Sequence, residues 1–162
     1  ICKFFCSDMT PLFKKLNFKN HSAILSINHP DSFLPELKAM GELTNVVESI
    51  GKLKSISFAI VFATKQTEVN KAAEQIAKKA EEDAVLWFCY PKGTSKKYKC
   101  DFNRDTGWEK LGELGYEPVR AVAIDEDWSA LRFRKAAHIK KMTRSFAMTE
   151  EGKKKVAAAK KK

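Results

Sequence analysis

Two stretches limit what this chain can fold into. Residues 56–63 read ISFAIVFA and residues 84–90 read AVLWFCY, both apolar almost without a break. Each has the length of a strand, yet neither alternates. A strand with one wet face shows apolar residues at every second position, because successive side chains point to opposite faces. An unbroken run needs cover on both faces, which helices provide in open parallel sheets. Between the two runs, residues 66–81 place Val69, Ala72, Ala73, Ile76, Ala77 and Ala80 at helical spacing, with Lys and Glu outward. Strand, helix, strand is the unit from which parallel sheets are built.

The flanking segments extend that pattern. Residues 22–27, SAILSI, read as a first strand closed by Asn28-His29-Pro30-Asp31. Asp31 is placed to cap a short helix whose apolar face is Phe33, Leu34, Leu37 and Met40, with Gly41 as its stop. Residues 43–50 are ambiguous. Val46 and Val47 favour a strand, while Leu43, Val46, Val47 and Ile50 also fit a helix. Only residues 51–55 would separate such a strand from the next, a link of about 17 Å at full stretch. Parallel neighbours need a longer crossover, so the element is helical, antiparallel or very short. Residues 106–114 read as a helix ended by Gly115, and residues 118–125 and 130–134 as a hairpin. The expectation is one α/β domain over residues 9–140: Rossmann-like, with a mostly parallel open sheet flanked by helices and a closing antiparallel hairpin at the edge.

Charge separates this body from its tail. The chain has 162 residues and a net charge of +10. From Lys135 to the end stand ten Lys and Arg against two Asp and Glu, leaving only +2 for the preceding 134 residues. Nucleic-acid binding by the whole body is therefore disfavoured, and a basic arm is the natural alternative. Residues 141–162 read as a partly helical or disordered tail in which Lys153, Lys154, Lys155, Lys160, Lys161 and Lys162 are candidate phosphate contacts. Met9 reads as the start, with residues 1–8 an extension; a genuine short N-terminal segment is the other reading. No apolar run has the length of a membrane span, and a cytoplasmic, membrane-free setting is expected.

Four segments together resemble one family: TPLFKKL (10–16), LWFCYPK (86–92), DFNRDTGW (101–108) and VAIDEDWSALRF (122–133). They are similar to a domain-of-unknown-function family of small bacterial Rossmann-like proteins. The resemblance covers roughly residues 9–140 and implies the fold and a bacterial cytoplasm. It implies no catalytic residues and does not reach the lysine-rich tail. The order of strands also resembles the second half of methyltransferase-like domains, a likeness of fold that does not carry function.

Ligands of open α/β sheets sit beyond the carboxyl ends of the strands. That rule gathers Asn28-His29-Pro30, Thr64-Lys65 and the loop PKGTSKK (91–97). Lys92, Gly93, Thr94 and Ser95 offer charge, bare backbone and hydroxyls to an anion, and with Asn28 and His29 they form the candidate ligand site. The loop lacks the spacing of a P-loop. The turn after the first strand has no glycine, so no nucleotide cofactor is expected, although Glu48 falls where an acidic ribose partner would stand. Asp105 reads as a helix cap, Arg104 as a partner for Asp101 or a neighbouring carboxylate, Trp108 as a packing residue, and Trp128 as a lid over the core rather than a recognition surface. Asp125, Glu126 and Asp127 read as turn formers rather than metal ligands. Cys2, Cys6, Cys89 and Cys100 match no zinc spacing, and Cys89 reads as a buried hydrophobe. No metal site and no catalytic set emerge. The reading is a non-catalytic or regulatory module for an anionic small molecule. Its alternatives are an enzyme of methyltransferase-like ancestry using the same surface, and a nucleic-acid partner acting through the tail.

Overall fold

The computed structural model describes residues 9–19, 21–102 and 107–136, the Glu82 side chain excepted. The expectations for residues 1–8, for Arg104 and Asp105 and for the tail from 141 lie outside the described residues. Helix α1 (Pro11–Lys15) precedes strand β1 (Ala23–Ile27). A single 3-10 turn (Asp31–Phe33) leads into α2 (Leu34–Met40) and then β2 (Asn45–Val47). Strand β3 (Ile56–Phe62), helix α3 (Gln66–Ala77) and strand β4 (Ala80–Pro91) follow. A short α4 (Glu109–Glu113) and the antiparallel pair β5 (Tyr116–Ala123) and β6 (Trp128–Lys135) complete the described chain. The six strands lie in the order β2-β1-β3-β4-β6-β5. The first four are mutually parallel, and β6 runs antiparallel to both β4 and β5. The sheet is thus the mostly parallel, helix-flanked α/β sheet expected, with the hairpin's β5 at one edge.

The unbroken apolar runs divide between two cores. Ala59, Val61, Leu86, Phe88 and Tyr90 face α3 and α4, meeting Val69, Ala73, Ile76, Trp108 and Leu111. Phe58, Ile60, Phe62, Val85, Trp87 and Cys89 face the other way, against Phe13, Leu16, Phe33, Leu37 and Met40. Period-two alternation therefore holds in β3 and β4, but both faces are dry. Trp108 packs edge-on or tilted against Phe88, Tyr90, Phe102 and Phe133, with the Phe102 ring centroid 5.1 Å away. Trp128 is buried against Phe62 and Tyr98. Both tryptophans serve as the packing residues anticipated.

Residues 43–50 resolve as the very short strand. β2 has three residues and is not a neighbour of β3, since both flank β1. Leu25 of β1 is level with Val47 on one side and Ala59 on the other. The eight residues 48–55 must therefore cross one strand and drop back only about three residues, roughly 10 Å each way. A long crossover is unnecessary because the strand it leaves is so short. Lys79 anchors this link, its Nζ donating to the carbonyls of Ile50 at 3.0 Å and Leu53 at 2.8 Å.

Three local expectations are corrected. Asp31 makes no capping hydrogen bond from its side chain, because the chain enters α2 through a 3-10 turn. Leu34 turns outward and is 46 % exposed; that same turn shifts the helical phase, leaving Phe33, Leu37 and Met40 inside. Ala80 belongs to β4, because α3 ends at Ala77 and the strand begins early, pairing Ala80 with Ile56.

Helix α1 was not apparent as an element. Thr10 starts it by accepting from the Phe13 N–H at 3.2 Å, and Pro11 suits its first turn. The helix is tied to the sheet by the Trp87 indole N–H, which donates to the Leu16 carbonyl at 2.8 Å in a fully buried contact. Replacing Trp87 with Phe leaves that carbonyl buried without its partner and opens space beside it. We expect urea denaturation to register a loss of about 1–3 kcal/mol. A loss below 0.5 kcal/mol would mean that α1 does not depend on this bond.

Candidate ligand site at the strand ends

The connection leaving β1 runs over one face through α2, and the connection leaving β3 runs over the other through α3. The carboxyl ends of β1 and β3 therefore flank a switch point, where open α/β sheets form their crevice. On the β1 side, Asn28 is left-handed at φ 57, a conformation that asparagine tolerates better than most residues. It makes the tight turn without a glycine.

That turn folds His29 back onto the sheet. Its Nδ1 lies 3.0 Å from the Ser26 hydroxyl, and its Nε2 lies 3.1 Å from Glu48 Oε1. In the neutral ring, Nε2–H donates to the carboxylate and Nδ1 accepts from the buried hydroxyl, so both groups are satisfied. The chain Ser26, His29, Glu48 has the composition of a hydrolytic relay. Ser26, however, is fully buried within β1, out of reach of any substrate. The relay instead orients Glu48. His29 has an 11 % exposed side chain and Glu48 a 67 % exposed one, so the ring is tucked in and the carboxylate stands in solvent at the end of β2.

The β3 side is closed by protein groups. Glu68 accepts from the N–H groups of Thr64 and Lys65, both at 3.1 Å, and from the Thr64 hydroxyl at 3.3 Å. Asp101 accepts from the Gln66 N–H at 2.7 Å. Carboxylates thus occupy the Thr64, Lys65 and Gln66 donors at the start of α3, and their charge disfavours an anion there. Asp101 thus caps a helix that begins 35 residues earlier, while its expected partner Arg104 lies outside the described residues.

The basic loop after β4 forms a separate cavity of about 780 Å³. Lys92, Gly93 and Ser95 line it with Tyr90, Tyr98 and Lys99, whereas Asn28 and His29 do not. Thr94 is exposed beside it. Ser95 is committed to the loop, donating to Asp127 Oδ1 at 2.9 Å and accepting from the Tyr98 N–H at 3.2 Å. The Lys92 N–H donates to the Asp127 carbonyl at 2.8 Å. Asp125 accepts from the N–H groups of Asp127 and Trp128, the turn-forming role expected of it. The candidate residues therefore fall into two places: Asn28 and His29 at the switch point with Glu48, and the lysine loop over its own cavity.

Cys89 and Cys100 are free thiols that pack into opposite cores of the sheet. Burial raises both thiols above their ordinary range, and nearby carboxylates add to that shift. Neither is a poised nucleophile. Among the described residues no group of three or more His, Cys, Asp and Glu stands ready for a metal, and no helix is long and apolar enough to cross a membrane. The tail lysines Lys153, Lys154, Lys155, Lys160, Lys161 and Lys162 lie outside the described residues.

Comparison with solved structures shows the same α/β fold in other proteins. A SAM-dependent methyltransferase from Aquifex aeolicus superposes with a TM-score of 0.53 at 13 % identity, covering 82 % of this chain and 92 % of that one. The fibrillarin pre-rRNA processing protein of Methanococcus jannaschii (TM-score 0.47, 10 % identity, 72 % and 67 % covered) is a weaker match. So is the N-methyltransferase NodS of Bradyrhizobium japonicum (TM-score 0.45, 15 % identity, 70 % and 85 % covered). At these scores the last two carry no argument, and at 13 % identity the first shows the fold alone. No family model and no curated protein matches the chain.

The Asp101 cap gives a direct check on this description. Asp101→Ala removes the acceptor for the Gln66 N–H and is expected to destabilise the fold by about 0.5–2 kcal/mol, read from the urea midpoint. An unchanged midpoint would show that the cap is not made in solution.

Proposed function

We propose that the chain is a methyltransferase-like enzyme that holds an adenosyl ligand, S-adenosylmethionine by class, at the end of β1 and β2. The observation that carries this reading is Glu48. An exposed carboxylate at the end of β2, held in place by His29, is the group that such folds offer to ribose hydroxyls. The glycine-free turn after β1 pointed away from nucleotide cofactors, but its chemistry is selective rather than prohibitive. Glycines in that turn let the backbone approach a pyrophosphate. Here Asp31 adds a carboxylate to the first turn after β1, which repels phosphate. A dinucleotide is disfavoured on both counts. An adenosyl sulfonium has no phosphate and is positively charged, so neither objection applies. The ribose end of such a ligand fits the residues present.

When bound, S-adenosylmethionine supplies an electrophilic methyl group. The part assigned to this chain is binding and orientation: Glu48 accepts hydroxyl hydrogen bonds, His29 fixes the carboxylate, and Ser26 fixes the tautomer of His29. No general base is assigned.

The cavity over Lys92, Gly93 and Lys99 supports a second reading, a non-catalytic module for an anionic small molecule. Its two lysines provide positive charge for such a ligand.

Isothermal titration separates the two. S-adenosylhomocysteine, the product with the same ribose, should bind the wild-type chain measurably, and Glu48→Gln should weaken it about tenfold, the loss of one charged hydrogen bond. Lys92→Gln should leave that affinity unchanged. Absence of heat with both S-adenosylmethionine and S-adenosylhomocysteine would defeat the first reading and leave the second.

A further inference from the structure

A different part of the sheet holds a charge arrangement that neither reading uses. The bonds between β5 and β6 put Arg120 directly opposite Arg132. Two like charges at facing positions of an antiparallel pair destabilise it. Arg132 belongs to the alternate set of β6 that includes Trp128 and Ala130, so it projects to the α1 side of the sheet. It is half-buried, whereas Arg120 is exposed. The Nε of Arg132 is buried and has no hydrogen-bond partner.

The nearby carboxylates are committed elsewhere. Asp83 grips Arg134 in a two-pronged contact, at 2.7 Å to Nε and 2.8 Å to Nη2. Glu117 is fully buried, and its position in β5 faces Arg134 rather than Arg132. Glu81 accepts from the Ser55 hydroxyl at 3.3 Å. Among the described residues, the side chains of Arg120 and Arg132 make no hydrogen bond or ion pair. Burial depresses the Arg132 guanidinium below its usual range; Arg134 and Arg120 push the same way and Asp83 opposes. Folding thus holds a half-buried guanidinium beside a second one, and among the described residues the nearest carboxylate, Asp83, is shared with Arg134. An arrangement of that kind is retained where an outside group completes it.

We propose that Arg120 and Arg132 together bind a phosphate group on the α1 side of the antiparallel strands. Guanidinium donors in a planar fork match phosphate oxygens in pairs, which a lysine cannot do. The exposed Arg120 gives access, and the half-buried Arg132 gives a fixed geometry that needs little ordering on binding. The position is independent of the switch point. In the sheet register Arg132 is level with Trp87, four residues short of the end of β4, or about 13 Å along the strand.

The phosphate has two possible sources, a free ion or the backbone of a single strand of nucleic acid, and one experiment addresses both. The arginine Nε–H resonances are followed by NMR while inorganic phosphate, and separately a ten-nucleotide poly-uridine, is titrated into the full chain. The Arg132 Nε–H signal is expected to shift with saturation. Arg120→Gln should weaken the effect at least tenfold, and as a surface change it keeps the fold, checked by the amide spectrum. Lys92→Gln should not alter it. Saturation by phosphate at the lower concentration identifies a free phosphate ligand. Saturation by the oligonucleotide at the lower concentration, with a salt slope reduced by about one in Arg120→Gln, identifies a strand backbone. Both results support the site. A signal unmoved by either titrant, or one that moves equally in Arg120→Gln, overturns it, and a loss in Lys92→Gln assigns the phosphate to the other cavity. None of these outcomes depends on whether S-adenosylhomocysteine binds.

Discussion

Strand β4 is the element on which the rest depends. It bonds in parallel to β3 and antiparallel to β6, so it joins the crossover half of the sheet to the hairpin half. Its side chains alternate between two dry cores, and Trp87 and Phe88 anchor one each. Either core alone would leave half of this strand in water, at a cost of about 1.5–3 kcal/mol for each large apolar side chain. The cores are therefore coupled through one backbone, and the strand order follows from it. β3 lies on one side, joined to β4 through α3, and β6 lies on the other because the hairpin must close against a strand with a free edge.

The switch-point geometry then comes from small deviations in otherwise ordinary elements. Asn28 turns left-handed, which brings His29 back over β1. β2 stops after three residues, which leaves Glu48 at the level where His29 can reach it. A longer β2 would carry the carboxylate past the ring. The short strand also permits the eight-residue return to β3. The brevity that made residues 43–50 hard to read is thus the same property that positions the carboxylate.

Legibility in the sequence followed the range of the interaction. The buried strands and α3 were readable because burial on two faces, or on one stripe, leaves a periodic signature in the residues themselves. Trp108, Trp128, Asp125 and Cys89 fell where their chemistry suggested. Helix α1 was not visible, since five residues carry little periodicity and its anchor is a carbonyl 71 residues from the indole that binds it. The capping role of Asp101 was not visible either, because the helix it caps begins 35 residues away. Leu34 fitted a helical stripe that the preceding 3-10 turn puts out of phase. At the candidate site, the residue types were legible and their grouping was not. Asn28 and His29 were set beside the lysine loop by the general rule for strand ends. The structure separates them, because β3 and its capped helix lie between.

Charge placement within the body sharpens the contrast between the sheet's two ends. A net +2 over the first 134 residues suggested an electrostatically quiet domain. Totals hide pairing, however. At the strand ends of β1 and β3, carboxylates from Asp31, Glu48, Glu68 and Asp101 gather, two of them closing the start of α3. On the antiparallel strands, Arg120 and Arg132 stand opposite each other while Asp83 is consumed by Arg134. A nearly neutral body is thus divided into a switch point that disfavours phosphate and a sheet face that attracts it. An adenosyl cation and a phosphate group would therefore not compete for one surface. A chain that binds both would do so at sites set apart by the sheet itself.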